Sequence, residues 1–342
     1  MKTPVIILSG FLGSGKTTLL LELIKQTYSR QLKPAILMNE LGKADVDGRI
    51  LAEATKDVPL EKLFDGCICC SKKSEITGSL EGLLALAPDV IIVELTGVAN
   101  PEEVVDAMAE PELLDKVSLH RIVTVIDGEN ALDYNSIFAS DKQLVHTLRR
   151  QMSVADLILL NKTDLISPAQ LTKVTQIIRK HNNAASIYNT VQAKIEGDLI
   201  LNGLLPLQLS ARSTSRLKVV SAAHQHQHHH STPGAAHRHE KEQDYQDNAS
   251  FSRIQSIYLP VIHPTPFSLR ELGKFLKAQG SQVLRAKGYL PISGSGDATL
   301  IQYAGKQLRY ESSTYRGPHY LVVIGYELDE QKLLAQWTAL KG

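Results

Sequence analysis

The sequence predicts an α/β protein: a doubly wound, mostly parallel sheet followed by a second, smaller α+β domain at the C-terminus. Three observations carry that expectation. Short apolar runs alternate with helical patterns over the first 210 residues, the signature of a parallel sheet covered on both faces. Gly10-Phe-Leu-Gly-Ser-Gly-Lys-Thr17 lies between a strand-like and a helix-like segment. The alternation stops near Ser210, and a new series of strand patterns opens at Phe251.

Taken in order, Pro4–Ser9 is apolar and β-branched, and a helical pattern follows from Lys16. Pro34–Met38 reads as a second strand. Asp89–Leu95, His120–Ile126 and Ala155–Leu160 are continuous apolar runs, suited to strands buried on both faces. Helical patterns separate them at Glu75–Ala87, Glu102–Met108, Asp141–Val154 and Ala169–Lys180. Residues 1–210 thus form one expected domain. Residues 211–250 are poor in apolar side chains and lack periodicity, so a flexible linker is expected there. Residues 251–342 form the second domain, with strands at Ile254–Ile262, Gln282–Leu290, Thr299–Tyr310 and Tyr320–Glu327. Its helices are expected at Ser268–Gln279 and Glu330–Leu340.

Composition narrows the function classes. The 342 residues carry 37 basic and 36 acidic side chains, a formal charge of +1, which gives no overall footprint for nucleic acid or an anionic membrane. No run of 18 apolar residues occurs, so no membrane span is expected. The apolar start enters Gly10–Thr17 without a small-residue cleavage site, so it reads as strand and loop rather than a signal peptide. A cytoplasmic protein is expected.

The loop Gly10–Thr17 matches G-x-x-x-x-G-K-[ST]. Its glycines let backbone N–H groups converge on phosphate oxygens, and the helix that follows adds its positive end. Gly10, Gly13, Ser14, Gly15, Lys16, Thr17 and Thr18 make up this cradle. Lys16 is placed to reach the β- and γ-phosphates and Thr17 to ligate Mg²⁺. Glu94-Leu-Thr-Gly97 closes a buried strand. There a carboxylate reaches the Mg²⁺ shell, and the Gly97 amide can face the γ-phosphate. Lys16 and Glu94 are therefore the residues expected to serve catalysis; no base is identifiable. Asn161-Lys-Thr-Asp164 has the form N-K-x-D. The Asp164 carboxylate can accept from guanine N1–H and its 2-amino group, a donor pair adenine lacks, so GTP is favoured over ATP. Lys162 packs on the base and Asn161 ties this loop to the phosphate loop.

All three cysteines lie in Cys67-Ile-Cys69-Cys70. Three thiols in one polar turn, after Gly66 and beside Lys72 and Lys73, suit a tetrahedral Zn²⁺ site with one position left open. Glu40, a histidine, water or a donor protein could fill it. Three buried small hydrophobes or a redox switch are the other readings. The cluster lies between Asn39-Glu40-Leu-Gly42 with Asp47, where a first switch would fall, and Glu94–Gly97, the second. His224, His226, His228, His229, His230, His237 and His239 crowd the expected linker. They suit a loose metal reservoir, or a polar linker with no metal role.

This order of motifs, with Arg285-Ala-Lys-Gly288 near the end, resembles the CobW-like P-loop GTPases of the SIMIBI class. The resemblance covers nearly the whole chain. It implies a GTP-hydrolysing metallochaperone, most often for zinc, that delivers metal to a client metalloprotein. By that likeness Cys67, Cys69 and Cys70 bind the transferred Zn²⁺, and Thr17 and Glu94 serve Mg²⁺, with Asp47 a further candidate. A cobalt or nickel insertase of the same family stays open, as does a homo-oligomer. So does a metal buffer whose nucleotide site is only regulatory. Leu41 stands where many relatives carry Phe, and Asn100 where an acidic residue commonly precedes the proline.

Overall fold

Strand β1 (Thr3–Ser9) is buried along its whole length, and its alternate side chains enter different cores. Ile6 and Leu8 pack with Leu19, Leu20 and Leu23 of helix α1 (Lys16–Ser29). Val5 and Ile7 pack on the other face with Leu80, Leu83, Val104 and Val105. A strand with two buried faces must be apolar throughout, which is why the run reads as continuous rather than alternating. The computed structural model describes residues 2–38, 58–62, 71–136, 142–206, 252–262, 266–280, 282–294, 298–304 and 306–340.

Six more strands complete the first sheet: β2 (Pro34–Met38), β3 (Leu60–Lys62), β4 (Val90–Glu94), β5 (Val117–Asp127), β6 (Leu157–Asn161) and β7 (Ser186–Asn189). Their order is β3-β2-β4-β1-β5-β6-β7, and every pairing is parallel. The order reverses about β1, so the carboxyl ends of β1, β4, β5 and β6 open on one crevice, where such sheets bind ligands. Helices α2 (Ser71–Leu84), α3 (Pro101–Met108), α4 (Ala131–Tyr134), α5 (Lys142–Val154), α6 (Pro168–His181) and α7 (Asp198–Leu201) flank the sheet. Helix α6 shows how the sequence starts an element: Ser167 Oγ accepts from the Gln170 N–H at 3.2 Å, and Pro168 occupies the first turn.

The second sheet is antiparallel, in the order β11-β10-β9-β12-β8, built from β8 (Ile254–Pro260), β9 (Val283–Pro291), β10 (Ala298–Ala304), β11 (Gln307–Ser312) and β12 (Tyr320–Tyr326). Leu321 and Val323 of β12 face α8 (Leu269–Ala278) and α9 (Glu330–Ala339), in a core with Leu272, Leu276 and Trp337. Tyr320, Val322 and Ile324 face the other way and share a core with Val104 and Val105 of α3. Each such aliphatic side chain contributes about 1.5–3 kcal/mol on full burial. The junction also carries charge: Arg285 pairs with Asp106 at 3.5 Å, and Lys287 pairs with Glu110 where both are nearly buried.

Two expectations need correction. Thr299–Tyr310 is not one strand but the hairpin β10–β11, whose turn includes Lys306 at φ 65°. Helix α2 opens at Ser71, directly after the cysteines, rather than near Glu75. Strands β3 and β7 were not expected. Both lie at sheet edges and are short, three and four residues, so no continuous apolar run marks them. The expected linker, 211–250, lies outside the described residues.

Candidate nucleotide site

The phosphate loop joins the end of β1 to α1. Gly15 has φ 108°, and a Cβ there would meet Asn161 Nδ2 at 2.5 Å, so both its backbone and its neighbour demand glycine. Lys16 folds back into the loop and donates to the carbonyls of Gly10 at 2.8 Å and Phe11 at 2.9 Å. Burial pushes its ammonium pKa down, against the opposing pull of Glu94. Gly13 also has positive φ, and Thr18 is exposed on α1.

Glu94 ends β4 beneath the loop. Its Oε1 accepts from the Thr17 hydroxyl at 2.8 Å. Its Oε2 is buried with no hydrogen-bond partner among the described residues, as is Ser14 Oγ. Burial raises the Glu94 pKa, opposed by the Thr17 hydrogen bond and the Lys16 charge. Two residues on, Gly97 lies against the phosphate loop: a Cβ there would meet the Leu12 backbone N at 2.5 Å. Gln151 of α5 grips this segment from behind, donating to the carbonyls of Gly97 at 3.2 Å and Ala99 at 3.0 Å.

At the other end of the crevice Asn161 is held through both ends of its amide. Its Nδ2 donates to the Ser14 carbonyl at 2.9 Å, and its Oδ1 accepts from the Ala193 N–H at 2.8 Å and the Thr190 hydroxyl at 3.1 Å. Lys162, at φ 60°, donates to Asp127 Oδ2 at 2.8 Å. Burial alone would raise the Asp127 pKa. Hydrogen bonds from Lys162, Asn130 and the Glu129 N–H, with the Lys162 charge, hold it below the usual carboxylate range. Asp164 sits in a single 3-10 turn, Thr163–Leu165, exposed toward solvent.

The phosphate loop, the Glu94–Gly97 segment and Asn161–Asp164 therefore meet in one crevice. Chain comparison agrees with that geometry. The model of the CobW/HypB/UreG nucleotide-binding domain matches residues 4–189, and that of the cobalamin synthesis protein cobW C-terminal domain matches residues 259–341. The chain belongs to the CobW/HypB/UreG family. Among its CobW-type relatives, the zinc chaperone CobW of Sinorhizobium sp. is 29% identical, covering 99% of this chain and 97% of that one. The zinc chaperone YjiA of Escherichia coli K12 is 26% identical, covering 98% of each. The crystal structure of the Zn(II)-bound YjiA GTPase from E. coli aligns over 100% of both chains with 20% identity and a TM-score of 0.46.

Several sequence-predicted residues of this CobW-type chain lie outside the described residues: Glu40, Asp47, Cys67, Cys69 and Cys70. The same holds for His224, His226, His228, His229, His230, His237 and His239. What is described is the helix that follows the cysteines in the chain. Helix α2 begins at the residue after Cys70, and its Ile76, Leu80 and Leu83 pack with Val104, Val105 and Met108 of α3. Sequence reasoning missed Asp127 and Gln151. Asp127 ends β5 directly beside Asn161 in the register, so strand-end adjacency was its available signal. Gln151 is one polar residue inside a helical pattern, and no motif marks it.

Proposed function

We propose that this chain binds GTP and hydrolyses it with Mg²⁺, and that the cycle governs delivery of Zn²⁺ to a client metalloprotein. The observation that carries this reading is mechanical. Helix α2, which starts at the end of Cys67–Cys70, packs on α3, and α3 begins four residues after Gly97. A γ-phosphate drawing on the Gly97 amide would act on the helix that directly follows the thiols in the chain.

The nucleotide reading rests on the crevice. Lys16 and the loop amides bind the β- and γ-phosphates. Asp164 reads the guanine edge, while Lys162, pinned to Asp127, presents its stem to the ring. The Thr17 hydroxyl and the unsatisfied Glu94 Oε2 are hard oxygen donors suited to Mg²⁺, with Asp47 a further candidate. When bound, that ion neutralises charge developing on the β- and γ-oxygens. Ser14 Oγ and Glu94 Oε2 are costly as buried orphans, about 1–3 kcal/mol each, and a nucleotide with its cation relieves that cost. Gln151 keeps the Gly97 amide oriented by holding the adjacent carbonyls. Water attacks the γ-phosphorus, and positioning with electrostatics supplies the acceleration.

For the cargo, Cys67, Cys69 and Cys70 supply three thiolates, with Glu40 or a client ligand as the fourth donor. The two relatives above carry the name zinc chaperone, which favours zinc over cobalt or nickel. His224–His239 would raise the local metal concentration. Phosphate release from GTP and from ATP, with and without Zn²⁺, tests the proposal. GTP-selective turnover that responds to Zn²⁺, and loses that response in Cys67→Ala/Cys69→Ala/Cys70→Ala, is expected. Negligible turnover with retained Zn²⁺ binding would make the chain a metal buffer instead.

A further inference from the structure

The C-terminal unit carries a surface feature that neither nucleotide nor metal chemistry uses. Between α8 and the hairpin β10–β11 runs a groove of about 590 Å³. Arg270, Lys274, Lys277, Lys306 and Arg309 line it, and among the described residues no carboxylate does: Glu271 and Glu311, on the same two elements, are absent from the lining. Five cations with no acid is a local concentration, because the whole chain has a formal charge of only +1. Among the described residues these five cations form no ion pair.

The floor is aliphatic. Leu269 and Leu308 contribute to it, and Gly273, in mid-helix, holds it open. A Cβ at Gly273 would meet nothing closer than Leu308 Cδ2 at 3.8 Å. Glycine in a helix interior costs about 1 kcal/mol relative to alanine, and steric need does not account for it here.

One wall is a sheet edge. Strand β11 pairs with β10 and ends the sheet order, and five of its six residues are exposed. An edge strand presents unpaired N–H and C=O groups to an incoming chain. A strand added there would place alternate side chains, roughly 6.5–7 Å apart, on the groove side.

We infer that this groove binds an extended, acidic segment of a partner polypeptide, added as a strand along β11 with its carboxylates meeting the five cations. The edge supplies main-chain hydrogen bonds, and the acids on the groove side lay their methylene stems over the leucine floor while their carboxylates reach the cations. Charge complementarity sets partner choice and encounter rate. A nucleic acid fits less well: among the described residues no aromatic side chain lines the groove to stack a base, and the exposed Tyr310 lies outside the lining. The inference does not depend on the GTP or zinc readings.

The test uses the full chain and fluorescence anisotropy. The probes are a labelled peptide alternating Glu and Val, its Lys–Val counterpart, a proline-interrupted Glu–Val peptide that cannot complete a strand, and an oligothymidylate of equal charge. The Glu–Val peptide should bind best. Lys274→Glu/Lys277→Glu should weaken it by about tenfold or more, and Gly273→Leu, which fills the groove in a position open to a side chain, should do the same. Circular dichroism and melting temperature confirm that each variant folds, and an unfolded variant is replaced by Arg309→Ser on the far wall. Equal binding of the Lys–Val peptide, or indifference to the variants, would overturn the proposal. Equal binding of the proline-interrupted peptide would remove strand addition, and tighter binding of the oligothymidylate would make the groove a nucleic-acid surface.

Discussion

The two ends of the nucleotide crevice are built on opposite principles. At the Asn161 end the protein itself holds Asn161 and Lys162: Asn161 makes three hydrogen bonds, to Ser14, Ala193 and Thr190, and Lys162 is pinned to Asp127. At the phosphate end Ser14 Oγ and Glu94 Oε2 are buried without partners among the described residues, and Lys16 donates to loop carbonyls. A site that reads a base gains from rigidity, because discrimination comes from leaving the wrong ligand's groups unpaired. A site that stabilises a transient charge gains from groups whose partners arrive with the ligand. The difference says which substitutions act on the fold and which on turnover.

The largest effect is expected where the protein has least use for the side chain. Lys16→Ala should lower GTP hydrolysis by about 10²–10³-fold or more while shifting the melting temperature little, as steady-state phosphate release and calorimetric melting will show. A comparable loss of stability would mean that this lysine belongs to the frame. Gly97→Ala forces a Cβ against Leu12 N and should reduce turnover by about tenfold or more, with guanine preference intact in competition binding against ATP.

At the rigid end the signature reverses. Asn161→Ala removes three hydrogen bonds and strands buried partners, so it should cost about 2–3 kcal/mol in urea denaturation and weaken every purine nucleotide together. Asp164→Asn leaves the frame untouched, because Asp164 is exposed. It should weaken GTP by about 10–100-fold and relax selection toward xanthine nucleotides, read by titration calorimetry. Equal GTP and ATP affinity in the unaltered chain would break the comparison at its base-reading half.

The smallest effect lies away from both ends. His120 of β5 is buried, with Nε2 3.1 Å from the Ile200 carbonyl oxygen. Burial first, then the Arg121 charge, lowers its pKa from 6.5 to about 4, against the Ile200 hydrogen bond. The unfolded chain therefore binds this proton more readily. Stability from the neutral ring is full above about pH 6.5 and falls as pH drops toward 4. The expected loss is of order 2 kcal/mol by about pH 5, and His120→Gln should flatten that part of the pH profile in urea titrations.

How much of this was legible in the sequence follows the same physics. The strands β1, β2, β4, β5 and β6 were legible because burial on both faces demands uninterrupted apolar runs. Edge strands β3 and β7 carry no such demand and escaped. The β10–β11 hairpin escaped because Gly305-Lys306 interrupts a run whose residues are strand-like on both sides. Within the crevice the phosphate loop, Glu94, Gly97 and Asn161–Asp164 were legible because each needs a residue type at a fixed spacing. Asp127 and Gln151 act by position alone, one at a strand end beside Asn161, the other one helix behind Gly97. Arg285 and Lys287 were legible as a motif, but their pairing with Asp106 and Glu110 depends on how the second sheet docks.

The proposal that nucleotide state governs the cargo is tested most directly by titrating Zn²⁺ into the full chain in three states: with a non-hydrolysable GTP analogue, with GDP and without nucleotide. The α2–α3 contact predicts that the analogue tightens Zn²⁺ relative to GDP, within the usual range of coupling of about 5–150-fold, and that Zn²⁺ tightens the analogue by the same factor. Three indistinguishable Zn²⁺ affinities would contradict the account, leaving two sites that share a chain without sharing a mechanism.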